Sequence, residues 1–306
     1  MTLKLSSSTP APDSGRGFDS PVESWVFSPI SYPGAKNNLA SWIDDHLPEQ
    51  YSLYCEPFCG SAAVYFEKQQ ADREVLNDVN DDILRFFEGV RDHPDELREW
   101  LKKTPYSRKQ FRELKEEWFI DGERPDDPVR RAGEYYILME QGYTGNVEPS
   151  SFSRETPKPN TGLVDTWRNK VDERIDAAAE RLRDACIESM DYRECIETYD
   201  YPETVFYCDP PYFNRSTDYN AGDFSHEEFA DAVRGVGADV VVSYDELPPA
   251  FLELVNGEGW FVVEKGVVRT VINYEQTDEV KERLVMNYDP SEAVAGQQKL
   301  DDAAAD

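Results

Sequence analysis

Lysine is scarce in this chain of 306 residues: 12 Lys stand beside 20 Arg, and together they face 62 Asp and Glu, for a net charge of -30. So large an acidic excess is not the default profile of a nucleic-acid binder. Long apolar runs are missing too. No stretch approaches the roughly 18 apolar residues of a membrane span, and the opening MTLKLSSSTPAPDSG has no secretory core, so a cytoplasmic protein without a membrane partner is expected. The five cysteines form no CxxC pair, and His46, His93 and His226 lie far apart in sequence, so no metal is expected and the thiols read as reduced and mostly buried. A P-loop lysine pattern is also lacking, which counts against a triphosphate ligand. What is present is enough apolar and aromatic residue, 39% and 12%, to rule out an acidic disordered chain. The acids are scattered through the chain. That pattern favours a surface, and a host cytosol, adapted to molar salt over a docking site for cationic partners.

Residues 1–24 carry Ser, Pro, Gly and Asp without an apolar period and read as a mobile tail, as does the acidic segment 289–306. Between the tails, short apolar runs alternate with amphipathic ones. Ser52 to Phe58 and Glu74 to Asn80 read as strands, followed by the helices AAVYFEKQ and DDILRFFEGVRD. TVFYCDPPYF, DVVVSYDE and WFVVEKGVV supply further strands, with an intervening helix that opens at a Ser225 N-cap. The alternation predicts an α/β fold with a doubly wound, mostly parallel sheet. From Gly89 to Met190 the text is polar and helical, with 18 Lys and Arg against 22 Asp and Glu, whereas the rest of the chain carries 14 against 40. Within it, Lys102 to Lys115 holds six basic residues and one acid, with Tyr106 and Phe111 interleaved. This is a candidate phosphate-contacting surface; a solvated helix face is the alternative.

The string CDPPYF, Cys208 to Phe213, ends an apolar strand. An aspartate there stands at the carboxyl edge of the sheet, where doubly wound folds bind their ligands. Pro210 and Pro211 lack N–H groups and stiffen the turn, which leaves carbonyls and the Asp209 carboxylate as acceptors for a hydrogen-donating ligand such as a nucleobase amine. Tyr212 offers a face on which a base can stack, worth about 1 to 3 kcal/mol. A lone DPP turn is more often a plain strand-ending loop, but this one has companions. In EPFCGSAAV, Glu56 to Val64, a strand ends in a small-residue turn that opens a helix and lets a cofactor approach the backbone. Asp78 closes the next strand at the spacing of an acid that grips ribose hydroxyls. Adenosine with a non-phosphate tail fits this pair.

Upstream, SYPGAK, Ser31 to Lys36, reads as a loop entering a helix. With EPFCGS, the NDVN around Asp78 and DPPY in this order, the chain from Trp25 to Tyr288 resembles the Dam-like family of DNA adenine methyltransferases. The resemblance implies a Rossmann-like catalytic domain in two segments, 25–88 and 186–288, around an inserted, mainly helical target-recognition domain, 89–185. It implies S-adenosylmethionine as methyl donor, in contact with Tyr32 and Lys36, with the loop of Glu56, Pro57, Phe58 and Gly60, and with Asp78 at its ribose. Asp191 in ESMDY matches a position near the donor's adenine. Asp209 sits between donor and target amine, with Pro210, Pro211 and Tyr212 completing the catalytic turn. Double-stranded DNA is the implied partner, read through Lys102, Lys103, Arg108, Lys109 and Arg112 and, in the 142–153 loop, Tyr143 and Asn146. A monomer is expected, with room for a cognate restriction endonuclease. Ala62 departs from the family's GSG turn; because AAVYFEK continues as helix, Ala62 is expected to be helical and harmless.

The same acceptors serve the exocyclic amine of cytosine, though the motif order favours adenine. Carbon-5 methylation of cytosine needs a thiolate, and Cys208 reads instead as a core strand residue. RNA and protein-amide methyltransferases more often carry Asn than Asp at the first position of the turn. Intact Asp209 and Tyr212 argue against a catalytically inactive DNA-binding relative. The acidic surface generates a prediction about salt. At about 1 M salt the Debye length is near 3 Å, which screens the self-repulsion of this chain. Folding and methyl transfer are expected to persist or improve in molar salt, followed by circular dichroism and DNA methylation; loss of both above about 0.5 M contradicts the screening argument.

Overall fold

The computed structural model describes residues 26–32, 34–142, 148, 151–154, 162–213, 224–270 and 277–291. The expected tail 1–24, most of the segment 289–306, and Tyr143 and Asn146 lie outside the described residues. Among the described residues seven strands form one sheet: β1 (Leu53–Glu56), β2 (Arg73–Asn77), β3 (Cys186–Glu188), β4 (Thr204–Cys208), β5 (Asp239–Tyr244), β6 (Phe261–Thr270) and β7 (Thr277–Met286). Their order is β3-β2-β1-β4-β5-β7-β6. The first five run parallel, and β7 inserts antiparallel between β5 and β6.

Parallel strands covered on both faces read as continuous apolar runs, and β4 is buried at every position. Successive side chains point to opposite faces of the sheet. Tyr54, Leu76, Val205, Tyr207 and Val241 enter one core; Cys55, Val75, Phe206, Cys208 and Val242 enter the other. Cys208 is therefore a core strand residue. The thiols are free, and Cys186 alone among them is exposed.

On the first face lie α1 (Ala40–Asp44), α2 (Ala63–Glu67), α3 (Asp81–Asp92), α4 (Pro94–Lys103), α5 (Arg108–Phe119), α6 (Pro128–Gln141) and α7 (Leu163–Leu182). The second face carries α8 (Tyr192–Tyr199), α9 (His226–Arg234) and α10 (Pro249–Asn256). Local chemistry sets the helix starts. The Asn80 side chain accepts the Asp82 N–H at 3.1 Å to open α3, Asp127 precedes a proline at the start of α6, and Ser225 accepts the Glu228 N–H at 3.2 Å to open α9. The basic stretch is two helices, because α4 ends at Lys103 and a Ser107 cap starts α5.

The helical segment shares its core with the sheet. Leu97 of α4, Trp118 of α5, Tyr136 of α6 and Ile175 of α7 are buried in one cluster with Phe66, Phe87 and Leu76. α7 also reaches the sheet through charge: Arg181 donates to both Glu74 oxygens and to the Tyr65 carbonyl, beside the buried Lys68–Glu74 pair. Among the described residues no helix is long and apolar enough to cross a membrane.

Candidate active site

The strand order turns back on itself between β1 and β4, so the loops leaving these neighbours diverge and open a crevice at their carboxyl ends. EPFCGS leaves β1 and DPPY leaves β4, so the sheet topology brings the two most specific motifs together.

On the β1–β2 side, Asp78 anchors the turn. Its Oδ2 accepts the Gly60 N–H and its Oδ1 the Asn80 N–H, both at 2.9 Å. Burial raises the pKa of Asp78, and these backbone donors oppose the shift. Tyr32 closes the same corner: its hydroxyl accepts from Asn80 Nδ2 at 3.1 Å, and its ring lies so near Gly60 that a Cβ there would sit 3.4 Å from it. Gly60 takes φ of +47°, a region open to glycine. Asn77, which the sequence reading passed over in favour of its neighbour, ties the corner together. Its Nδ2 donates to the carbonyls of Pro57 and Met190 at 2.9 and 3.0 Å, and its Oδ1 accepts the Met190 N–H at 2.9 Å. A polar residue closing an apolar strand was the available signal.

Glu56 is buried beneath the turn, where its Oε1 accepts from the Tyr54 hydroxyl at 2.7 Å and the Tyr65 N–H at 2.9 Å. Desolvation pushes its pKa up to about 8 despite those donors. It braces the loop from below. Phe58 packs against Tyr192, with ring centroids 5.2 Å apart, and joins the second core.

On the β4 side, the Lys36 ammonium sits 2.7 and 2.6 Å from the two Asp209 oxygens and 4.7 Å from the centre of the Tyr212 ring. It also donates to the Gly34 carbonyl at 3.1 Å. Lys36 is 7% exposed and Asp209 21%, so the pair is shielded yet open on one side. Tyr212 donates its hydroxyl to Glu282, a buried β7 residue that the sequence reading did not anticipate. Burial, with the charges of Asp209 and Glu282, holds the Tyr212 phenol well above its ordinary pKa. Its ring lies 6.1 Å from Tyr244, which receives or donates a 3.0 Å bond with His226.

The other expected residues are more dispersed. Asp191 lies just past β3, exposed, and caps α8 by accepting the Arg193 N–H at 2.9 Å. Lys102, Lys103, Arg108, Lys109 and Arg112 are all exposed along α4 and α5. Several have acidic partners: Lys102 pairs with Asp172 at 2.8 Å and Lys109 with Glu113 at 3.6 Å. Tyr106 and Phe111 do not join this surface. Phe111 is buried, and Tyr106 packs on Phe152 and donates to the Ser153 carbonyl, so both belong to the core beneath the basic side chains.

Ala62 departs from its expected conformation. It takes φ of 53° and ψ of 37°, left-handed, fully buried at the start of α2. Its N–H closes a tight turn onto the Cys59 carbonyl at 2.6 Å, so the helix begins one residue later.

Asp78 and Asp209 thus stand at the carboxyl ends of β2 and β4, either side of β1, around the switch point of a Rossmann-like α/β sheet, where such folds bind their ligands. The sequence pattern of the D12 class N6 adenine-specific DNA methyltransferases matches residues 32–282, and the chain belongs to that family. It is 24% identical over 289 residues to the Type II methyltransferase M.MjaIII of Methanocaldococcus jannaschii, covering 85% of this chain and 98% of that one. The DNA adenine methylase of Escherichia coli is 25% identical over 206 residues, 66% of this chain and 72% of that protein. The Type II methyltransferase M.CviBI of Paramecium bursaria Chlorella virus NC1A is 25% identical over 206 residues, 65% and 74%. The chain is an adenine-specific DNA methyltransferase, and the expected family, fold class and activity hold.

The left-handed Ala62 generates a prediction. An L side chain in that region costs about 1 kcal/mol, which Ala62→Gly removes, less the entropy glycine adds to the unfolded chain. Urea unfolding is expected to show a gain in stability of up to about 1 kcal/mol. A loss of stability in Ala62→Gly contradicts the strained geometry.

Proposed function

We propose that the crevice holds S-adenosylmethionine on the β1–β2 side and the amino group of a flipped-out adenine from double-stranded DNA at Asp209. The observation that carries this reading is the Lys36 ammonium on both Asp209 oxygens: the carboxylate already takes hydrogen bonds from an amine-type nitrogen in a shielded, one-sided site. On the donor side, the Asp78 carboxylate, held by backbone N–H groups on both oxygens, is the acceptor proposed for a ribose hydroxyl. The Pro57–Gly60 turn and Tyr32 wall the same space, and Asp191, on the same sheet edge, faces the adenine end.

Adenine's amino nitrogen delocalises its lone pair into the ring and is a poor nucleophile. Asp209 and the Pro210 carbonyl accept its two N–H bonds and draw it toward tetrahedral geometry, with Lys36 giving up at least one Asp209 oxygen as the base enters. The donor, when bound, supplies the methyl group: an N–C bond forms as the C–S bond breaks and its electron pair stays on sulfur. The Asp209 charge stabilises the nitrogen as it becomes positive, and the surplus N–H proton leaves through that carboxylate to water. Tyr212, held by Glu282, provides the stacking face that offsets the few kcal/mol of base flipping. Arg108, Lys109 and Arg112 contact phosphates. The Type II methyltransferases among the relatives support a role in restriction–modification; a cognate endonuclease as partner and a monomeric chain complete the proposal.

Asp209→Asn keeps the size of the side chain but removes its charge. Single-turnover methyl transfer is expected to fall by roughly three powers of ten or more, with donor affinity nearly unchanged. Tyr212→Ala is expected to fail mainly on a correctly paired target adenine and to recover in part on a mismatched one. Transfer at near wild-type rates in Asp209→Asn overturns the mechanism.

A further inference from the structure

The loop that carries Tyr32 and Lys36 hangs on the helical insert. Glu140, in the last turn of α6, accepts the Ser31 N–H on Oε1 at 2.5 Å and the Lys170 ammonium of α7 on Oε2 at 2.5 Å. Lys170 in turn donates to the Ser31 hydroxyl at 3.0 Å, so three groups close a ring around one residue. The Glu140 side chain is 5% exposed and Lys170 19%, which removes most of the water that competes for such a pair. One helical turn on, Arg174 donates to the Ser28 carbonyl at 3.2 Å.

The base of this ring is fixed as well. Gln141, next to Glu140, accepts the Ser107 N–H at 3.1 Å and donates to the Pro105 carbonyl at 3.2 Å, so the end of α6 is pinned to the elbow between α4 and α5. The residue after Ser31 is Tyr32, which packs on Gly60 and binds Asn80, and four residues further Lys36 meets Asp209. A backbone shift at Ser31 therefore moves the wall of the donor space directly. The hydrogen bond from Asn80 to the Tyr32 hydroxyl, at 3.1 Å, is lost with a shift of a few tenths of an ångström.

We propose that Glu140, held by Lys170 and closed on the N–H and hydroxyl of Ser31, is a positioning residue through which the helical insert sets the Tyr32 loop and hence the affinity for the methyl donor. This rests on the reading of the β1–β2 corner as the donor site. Glu140 touches neither donor nor target; it acts through Ser31. A carboxylate suits the task because its two oxygens serve two donors at once, one a backbone amide and one an ammonium.

The experiment measures S-adenosylmethionine affinity by calorimetry for the full chain and its variants, with thermal unfolding recorded on the same samples. Glu140→Leu keeps a similar volume but removes both acceptors, and donor affinity is expected to fall about tenfold. Glu140→Gln retains an oxygen for the Ser31 N–H and is expected to stay within about threefold of the unaltered chain. Lys170→Met, which leaves the Glu140–Ser31 bond in place, is expected to behave like Glu140→Gln, whereas Lys170→Glu sets a second carboxylate against Glu140 and drives it off Ser31. A loss like that of Glu140→Leu is expected there, and its absence overturns the proposal even if Glu140→Leu does not fold. Arg98→Gln is the comparison for general softening, since Arg98 bridges Asp95 on α4 and Asp176 on α7 without reaching the donor loop; its donor affinity is expected to be unchanged. Donor binding in Glu140→Leu at the original affinity overturns the proposal, as does an equal loss in Arg98→Gln. Failure of the unaltered chain to bind S-adenosylmethionine overturns instead the assignment of the donor site.

Discussion

Lys36 and Asp209 are 173 residues apart in sequence, yet their charged atoms meet at 2.6 Å. The site depends on that contact, because it joins the loop ahead of β1 to the turn behind β4 across the point where the sheet reverses. Each partner is needed by the other: an isolated charge at this depth carries a desolvation penalty of several kcal/mol, and the pair meets it only with good geometry and further hydrogen bonds. The Gly34 carbonyl and the Tyr212 face supply such contacts on the lysine side. Around this closure the β1–β2 corner is built from backbone N–H groups aimed at one carboxylate, Asp78, and from one amide side chain, Asn77, that joins three segments. The chemistry of the crevice is thus set by acceptors that partners from several distant segments orient before any ligand enters.

The strands that hold the motifs were legible in the sequence because each is an apolar run ending abruptly in polar or small residues, as at Glu56, Asp78 and Asp209. α3 and α9 were legible for the same reason in helical form, with Ser225 marking the start of α9; Asn80 read as the end of the preceding strand, whereas β2 stops at Asn77 and Asn80 caps α3. β7 was not, since Lys281, Glu282 and Arg283 interrupt the alternation and one of these charges turns inward to bind Tyr212. Ala62 was misread because helix propensity speaks for the residues after it, whereas its own φ is set by the turn onto Cys59. The aromatic residues of the basic stretch look the same in sequence whether they face a base or a core. Only the packing of Phe111 and Tyr106 against Phe152 decides the matter.

The concentration of positive charge in the helical segment has a second meaning in three dimensions. Arg124 and Arg131 grip Asp82 at the start of α3, Lys170 grips Glu140, and Arg181 grips Glu74. These cations tie the helical segment to α3 and to the sheet and its own helices to each other, while on α4 and α5 exposed lysines carry acidic neighbours of their own, as Lys102 does in Asp172 and Lys109 in Glu113. In a chain of net charge -30, basic residues are thereby divided between internal cohesion and the surface proposed to meet phosphate.

The central claim is that the donor is held by three segments drawn together at the carboxyl ends of β1 and β2. Amide hydrogen exchange with and without S-adenosylhomocysteine, read by mass spectrometry on the full chain, tests it most directly. The account predicts slowed exchange concentrated in residues 31–36, 57–62 and 78–82, whose N–H groups line or brace that corner. Protection elsewhere, with these three segments exchanging as they do in the ligand-free chain, would contradict it.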